Sequence, residues 1–265
     1  MAIKAVLFDL DDTLLWDDRS VQEAFKATCR RAGEVYPRLD VQKLEPCVRA
    51  AARSLYESYE TYPFTKEIGI NPFEGLWGRF EEGHQLEGFR KLNTLAPKYR
   101  KDAWTAGLKA AGIDDEGLGA ELAERFPAER RARAYVYEET FEVLAKLKAS
   151  YSLLLLTNGS PDLQQEKLDG VPQLPTYFDH IVISGSFGKG KPDASIFQHA
   201  MKLLGIGPSE GLMVGDKLTT DILGANSVGM KSVWINRHEL TRTDDIVPGY
   251  EISSLTEIQG ILDSL

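Results

Sequence analysis

Short, uninterrupted apolar runs that each stop at a polar residue constrain this chain more than any other feature. Ile3, Ala5, Val6, Leu7 and Phe8 lead to Asp9, Leu153-Leu154-Leu155-Leu156 leads to Thr157, and Leu212-Met213-Val214 leads to Gly215 and Asp216. Ile181-Val182-Ile183 and Ser232-Val233-Trp234-Ile235 are runs of the same kind. Such a run suits a parallel strand covered on both faces. Helical patterns over Thr140 to Ala149, Ala194 to Leu204, Asp221 to Val228 and Leu255 to Leu262 separate or follow these runs. The alternation predicts a doubly wound α/β sheet of Rossmann-like type. In open parallel sheets, ligands bind beyond the carboxyl ends of the strands. Asp9, Thr157 and Asp216 fall at that edge, and Lys191 lies in a loop after another strand, so four sequence-distant groups can converge on one pocket.

The interval between the first run and the second reads differently. Val21-Ala24-Phe25-Thr28, Ala51-Leu55-Tyr59, Ala103-Leu108-Ala111 and Leu118-Leu122-Phe126 carry helical spacing, with breaks expected near Pro37, Pro63, Pro72, Pro97 and Gly112. This predicts an all-helical insert over residues 16–133, with residues 1–15 and 134–265 forming the α/β core. Trp77, Phe80 and Trp104 are expected in the core of the helical bundle. The cluster Arg130, Arg131 and Arg133 is expected on a solvated face, with recognition of a substrate carboxylate as the alternative.

Composition excludes several classes. At 265 residues, 43% hydrophobic and 27% charged, the chain has enough apolar material for one large domain or two small ones. A formal net charge of −9 leaves no basic footprint for sequence-independent nucleic-acid binding. It does not oppose a small anionic substrate, because one metal ion and one lysine reverse a local field. The two cysteines, Cys29 and Cys47, form no CxxC pair, so neither a disulfide framework nor a zinc site is expected. His84, His180, His199 and His238 are scattered without metal-ligand spacing. No run is long enough to span a membrane, and the apolar start is too short for a signal peptide. A cytoplasmic setting without membrane partners is the expectation.

Asp9 and Asp11 can divide labour, one carboxylate attacking and the other moving protons. Attack on phosphorus gives an aspartyl-phosphate that water then hydrolyses. A phosphate dianion repels a carboxylate, so positive charge is required. Magnesium is the expected cation, with Asp9, Asp216 and the main-chain carbonyl of Asp11 as ligands. Lys191 supplies a second positive charge. The Thr157 hydroxyl and backbone N–H groups near Asn158 and Gly159 can bind the transferring oxygens. Asp221 is expected to hold Lys191 or a metal-bound water. Asp12 is expected to serve as a backbone donor or capping acid, and Thr13 to hydrogen-bond the turn that aims Asp9.

With these residues assembled, the sequence resembles the haloacid dehalogenase (HAD) superfamily. The matching motifs are Asp9-Leu10-Asp11-Asp12-Thr13, Thr157-Asn158, Lys191-Pro192, and Gly215-Asp216 through Asp221, in the family's order. The resemblance implies an HAD-like core with strand order 5-4-1-2-3 and a helical cap closing over the pocket. It assigns Asp9, Asp11, Thr157, Lys191 and Asp216 the roles given above. By composition alone Lys189 rivals Lys191; the following proline and the family pattern favour Lys191, leaving Lys189 as a solvated loop charge. Dehalogenase members replace the second aspartate of the first motif, so Asp11 favours phosphate chemistry. The large insert resembles that of N-acetylneuraminate-phosphatase-like members. Leu14 to Val21 and Trp234-Ile235-Asn236-Arg237 are similar to a microbial phosphoserine phosphatase branch. Lys217 departs from the family, which more often has a small polar residue after the metal aspartate.

The expected activity is hydrolysis of a small phosphorylated metabolite, with O-phospho-L-serine first by resemblance. Sugar phosphates, nucleoside monophosphates and phosphoglycolate are the alternatives. A phosphomutase and a non-catalytic phospho-acceptor switch are competing readings, the latter opposed by the large insert.

Overall fold

A computed structural model describes residues 2–242 and 245–265. The chain divides into two compact units, one comprising residues 1–16, 135–159 and 171–265, the other residues 17–134 and 160–170.

The first unit is an α/β domain around six parallel strands: β1 (Ala5–Phe8), β2 (Ser152–Thr157), β3 (His180–Ile183), β4 (Gly211–Gly215), β5 (Lys231–Ile235) and β6 (Tyr250–Ile252). Their order across the sheet is β3-β2-β1-β4-β5-β6, the expected order with one strand added at an edge. Sequence reading missed β6 because three residues, one of them Glu251, carry too little apolar pattern. β1 is central and fully buried along its length. Its register pairs Phe8 with Leu155 on one side and Val214 on the other, which brings Asp9 level with the ends of β2 and β4. On one face of the sheet Leu7, Leu154, Leu156 and Met213 pack against Ile196, Phe197 and Met201. Each fully buried side chain of that size stabilises by about 1.5–3 kcal/mol. The expected helix over Asp221 to Val228 is a π-turn, Leu218–Ile222, running into a short α-helix, Leu223–Ser227.

The second unit is helical. Its long helices are α1 (Asp17–Val35), α2 (Val41–Ser58), α3 (Glu87–Ala110) and α4 (Glu116–Arg131). Phe25, Trp104 and Phe126 form its centre, with ring centroids 4.5–5.8 Å apart. Trp77 and Phe80 are buried as expected. Pro97 is not a break: it lies inside α3, on its exposed side, where water can take the carbonyl freed by the missing N–H. Pro63 and Pro72 start short helices, the position where a missing N–H costs nothing.

Two expectations require correction here. The sequence pattern places residues 160–170 in the α/β core, but their helix α5 (Pro161–Asp169) groups with the helical unit. Leu163 enters that unit's core, and Lys167 Nζ meets Glu74 Oε1 at 3.1 Å. Arg130 was placed on a solvated face, yet it is buried, donates to Asp17 Oδ1 at 2.7 Å and to Ser20 Oγ, and stacks on Trp77. Burial of a guanidinium is tolerable because Asp17 neutralises it. Among the described residues, no helix is long and apolar enough to cross a membrane.

Candidate active site

Asp9 is the first residue beyond β1, and its N–H continues the ladder by donating to the Val214 carbonyl at 2.9 Å. The chain then turns sharply. The N–H groups of Leu14 and Leu15 both donate to the Leu10 carbonyl (3.0 and 2.9 Å), and Asp12 N–H donates to the Leu15 carbonyl at 2.7 Å. Asp12 sits at φ 58°, a left-handed conformation that aspartate tolerates better than most residues. The Asp12 backbone N–H thus helps to close the turn. Thr13 does not behave as expected: its hydroxyl is buried with no hydrogen-bond partner among the described residues. Backbone bonds already close the turn, and what Thr13 contributes is its carbonyl, which accepts from Arg237 Nη2 at 3.0 Å.

Lys191 is the buried cation of the site. Its Nζ donates to Asp9 Oδ1 at 2.6 Å and to the Leu156 carbonyl at 2.7 Å, and lies 2.7 Å from Asp221 Oδ1. Burial opposes its charge, but Asp221 and Asp9 outweigh burial and hold its pKa above the usual lysine value. Asn158 fixes the loop: its Nδ2 donates to the Lys191 carbonyl (2.9 Å) and its Oδ1 accepts from the Lys191 N–H (2.8 Å). The Asn158 side chain thus aims Lys191. Gly159 N–H, expected as a phosphate donor, is already given to Ser184 Oγ at 2.9 Å. Thr157 closes β2, buried beside this loop. Lys189 is exposed and pairs with Asp193 at 3.3 Å.

Asp221 reaches Lys191 from beneath Gly215. A Cβ on Gly215 would lie 2.3 Å from the Asp221 carboxylate carbon, so only glycine admits this approach. The Asp221 Oδ2 also accepts the Lys217 N–H at 3.0 Å. The sequence offered one signal for this arrangement, the Gly215-Asp216 pair followed by an acid five residues on.

Carboxylate oxygens of Asp9, Asp216 and Asp221 lie within 4.8 Å of one another. Burial raises the pKa of Asp9, opposed by Lys191 and reinforced by Asp221. Burial raises that of Asp216 further, with Asp9, Asp221 and Asp12 adding to it and Lys217 opposing. Asp216 Oδ1 is buried without a hydrogen-bond partner among the described residues. Crowded, desolvated carboxylates with an orphaned oxygen fit a hard divalent cation, which would relieve both costs. Asp221 joins this group, although expectation gave it only a supporting role. The cluster found among the described residues is Asp9, Asp216 and Asp221, without the Asp11 carboxylate. Lys217 stays charged: burial pulls its pKa down, but Asp216, Asp9, Asp11 and Asp221 raise it well above the ordinary value.

A buried carboxylate beside a lysine and an acid cluster, at the carboxyl edge of a parallel sheet, is the site expected of a hydrolase of the HAD type. Residues 3–229 match the haloacid dehalogenase-like hydrolase family, and the chain belongs to it. It is 35% identical to the phosphoserine phosphatase of Thermus thermophilus over 257 residues, 97% of this chain and 98% of that one. It is 34% identical to the N-acylneuraminate-9-phosphatase of Mus musculus over 183 residues, 68% of this chain and 73% of that one. The solved structure of the HAD-hydrolase YfnB from Bacillus subtilis, bound to magnesium, matches with a TM-score of 0.66 over 99% of this chain and all of that one. At 23% identity, this last likeness speaks for the fold alone.

Proposed function

We propose that this hydrolase takes the phosphoryl group from small phosphomonoesters in a magnesium-dependent reaction, with O-phospho-L-serine as its preferred substrate. The chain is a phosphoric monoester hydrolase, on its family and on relatives that are phosphatases. The observation that carries the mechanism is the buried Asp9 carboxylate, held by Lys191 at 2.6 Å and clustered with Asp216 and Asp221. Phosphoserine is favoured because the likeness to the Thermus phosphatase runs through nearly the whole of both chains.

Asp9, Asp216 and Asp221 would hold the metal, which supplies positive charge against the phosphate oxygens. A carboxylate oxygen of Asp9 bonds to phosphorus as the ester P–O bond breaks. The electron pair leaves on the ester oxygen, which takes a proton from Asp11. Asp11 then accepts a proton from a water molecule whose oxygen bonds to phosphorus. The Asp9–phosphorus bond breaks, and inorganic phosphate is released. Lys191 offsets the negative charge of Asp9 throughout, and Asn158 keeps it in place.

Asp9→Asn protein should keep its fold and release no phosphate from phosphoserine or from an aryl phosphate. Wild-type turnover by that variant would end the mechanism. Across a panel of phosphorylated metabolites, kcat/KM for phosphoserine should exceed the rest by about a hundredfold, or about 2.7 kcal/mol of transition-state discrimination. A sugar 9-phosphate leading by that margin would move the assignment to the N-acylneuraminate phosphatase reading, which the mouse relative supports.

A further inference from the structure

The segment that leaves β5, Trp234-Ile235-Asn236-Arg237, has no part in the chemistry above, yet two of its side chains reach the two acidic loops. Trp234, buried, donates its indole N–H to the Asp216 carbonyl at 2.7 Å. Arg237 spans three partners. Its Nη1 donates to Glu139 Oε1 at 2.7 Å, its Nη2 donates to the Thr13 carbonyl at 3.0 Å, and its guanidinium carbon lies 3.5 Å from the centroid of the Tyr137 ring.

Those partners connect directly to the nucleophile turn. Tyr137 stacks on Trp16 with ring centroids 5.2 Å apart and an interplanar angle of 17°. Trp16 N–H donates to the Tyr135 carbonyl at 3.0 Å, and the Leu14 carbonyl accepts from Tyr137 N–H at 3.3 Å and from Thr140 Oγ1 at 3.0 Å. Residues 14–16 and 135–137 therefore form a narrow ribbon, and Arg237 joins it to the turn that begins at Asp9. The Thr13 hydroxyl makes no hydrogen bond among the described residues, whereas the Thr13 carbonyl and the backbone bonds of Asp12, Leu14 and Leu15 all act on the shape of this turn.

We propose that Arg237 is a positioning residue for phosphoryl transfer. By fixing the Thr13 carbonyl it sets the shape of the Asp9–Leu15 turn, and hence the placement of the proton-transfer group Asp11 relative to Asp9. This rests on the reading in which Asp9 attacks and Asp11 moves protons. A guanidinium suits the task because its planar fork offers separate N–H groups to a carboxylate and a carbonyl while its face lies over an aromatic ring; a lysine ammonium has neither the fixed fork nor the flat face. Misplacing a reacting group by about 1 Å costs on the order of a hundredfold in rate.

The test compares Arg237→Met, Arg237→Lys and Glu139→Gln in the full chain, measuring Tm, kcat and KM for an aryl phosphate with magnesium. Glu139→Gln weakens the ion pair but leaves the Thr13 contact, so it reports the purely structural share. Arg237→Met should lower kcat at least thirtyfold with KM within about twofold, and Arg237→Lys should fall between it and the wild type. Glu139→Gln should lose Tm while keeping kcat within about twofold. Equal kcat in Arg237→Met and Glu139→Gln would overturn the proposal, leaving Arg237 a staple. If Arg237→Met does not fold, Arg237→Lys replaces it in that comparison: a greater kcat loss than Glu139→Gln supports the role and an equal one overturns it. Asp9→Asn, run alongside, separates the two readings. An active Asp9→Asn protein ends both, whereas an inactive one beside fully active Arg237→Met ends only this one.

Discussion

Gly215 shows how little room the chemistry leaves. The Asp221 carboxylate occupies the space a methyl group would need, and Asp221 is one of two carboxylates on Lys191. Gly215→Ala should push Asp221 aside, loosen Lys191 and lower kcat by about a hundredfold, with a stability loss of about 1–3 kcal/mol. Steady-state kinetics together with urea denaturation would check both; unchanged kcat would mean that Asp221 does not hold Lys191 in the working enzyme. At the same scale Cys29 is inert, since burial pushes its thiol up to about 12, away from the range where a thiolate forms. Residue types were readable here because motif spacing marks them. Partners were not: that the Asn158 side chain serves the Lys191 loop, or that the Thr13 carbonyl serves Arg237, follows from sheet register, which no local pattern encodes.

Within the helical unit, the ion pair of Asp17 with Arg130 ties α1 to α4. Asp17 opens α1 and Arg130 lies in the last turn of α4; the guanidinium is buried and the carboxylate half-buried. Arg130→Met leaves Asp17 with Lys167, 3.9 Å away, as its remaining cation and should destabilise this unit by about 1–3 kcal/mol. Differential hydrogen exchange would locate the loss: protection should fall in residues 17–35 and 116–131 more than in the strands. Uniform loss would mean that the two units unfold as one. The same elements show why the helices are legible in the sequence and why one expected break, at Pro97, is absent. Apolar spacing carried α3 through Pro97 because Leu92, Ala96, Tyr99, Ala103 and Trp104 bury one face on both sides of it. Burial over several turns outweighs a penalty of about 3 kcal/mol for one interior proline.

For the molecule as a whole, the acid cluster predicts how stability responds to pH and metal. Burial raises the folded-state pKa of Asp9 and of Asp216 above the unfolded values. Between the ordinary carboxylate range and those raised values, the folded state binds more protons than the unfolded one. The contribution of these two acids to the stability of the metal-free protein then falls as pH rises through that window. A divalent cation replaces the protons, so its stabilising effect should grow with pH. Thermal denaturation in chelator and in excess magnesium at pH 5 and pH 8 tests this. The chelated protein should melt lower at pH 8, and the magnesium-induced rise in Tm should be larger there. An equal rise at both pH values would mean that these acids are not the ligands.

Much of this molecule was legible in short stretches of chain. Apolar runs of four or five residues specify buried parallel strands, and parallel strands put their carboxyl ends on one edge, so Asp9, Thr157 and Asp216 had to share a rim. Element type and side-chain direction are local properties, set by periodicity over a few residues. Other features emerged only when the chain closed on itself: the burial of Arg130, the membership of residues 160–170 in the helical unit, the approach of Asp221 under Gly215, and the reach of Arg237 to Thr13. Each is a choice of partner across a long sequence separation. Such choices depend on register, volume and neutralisation of buried charge, which exist only in the packed structure.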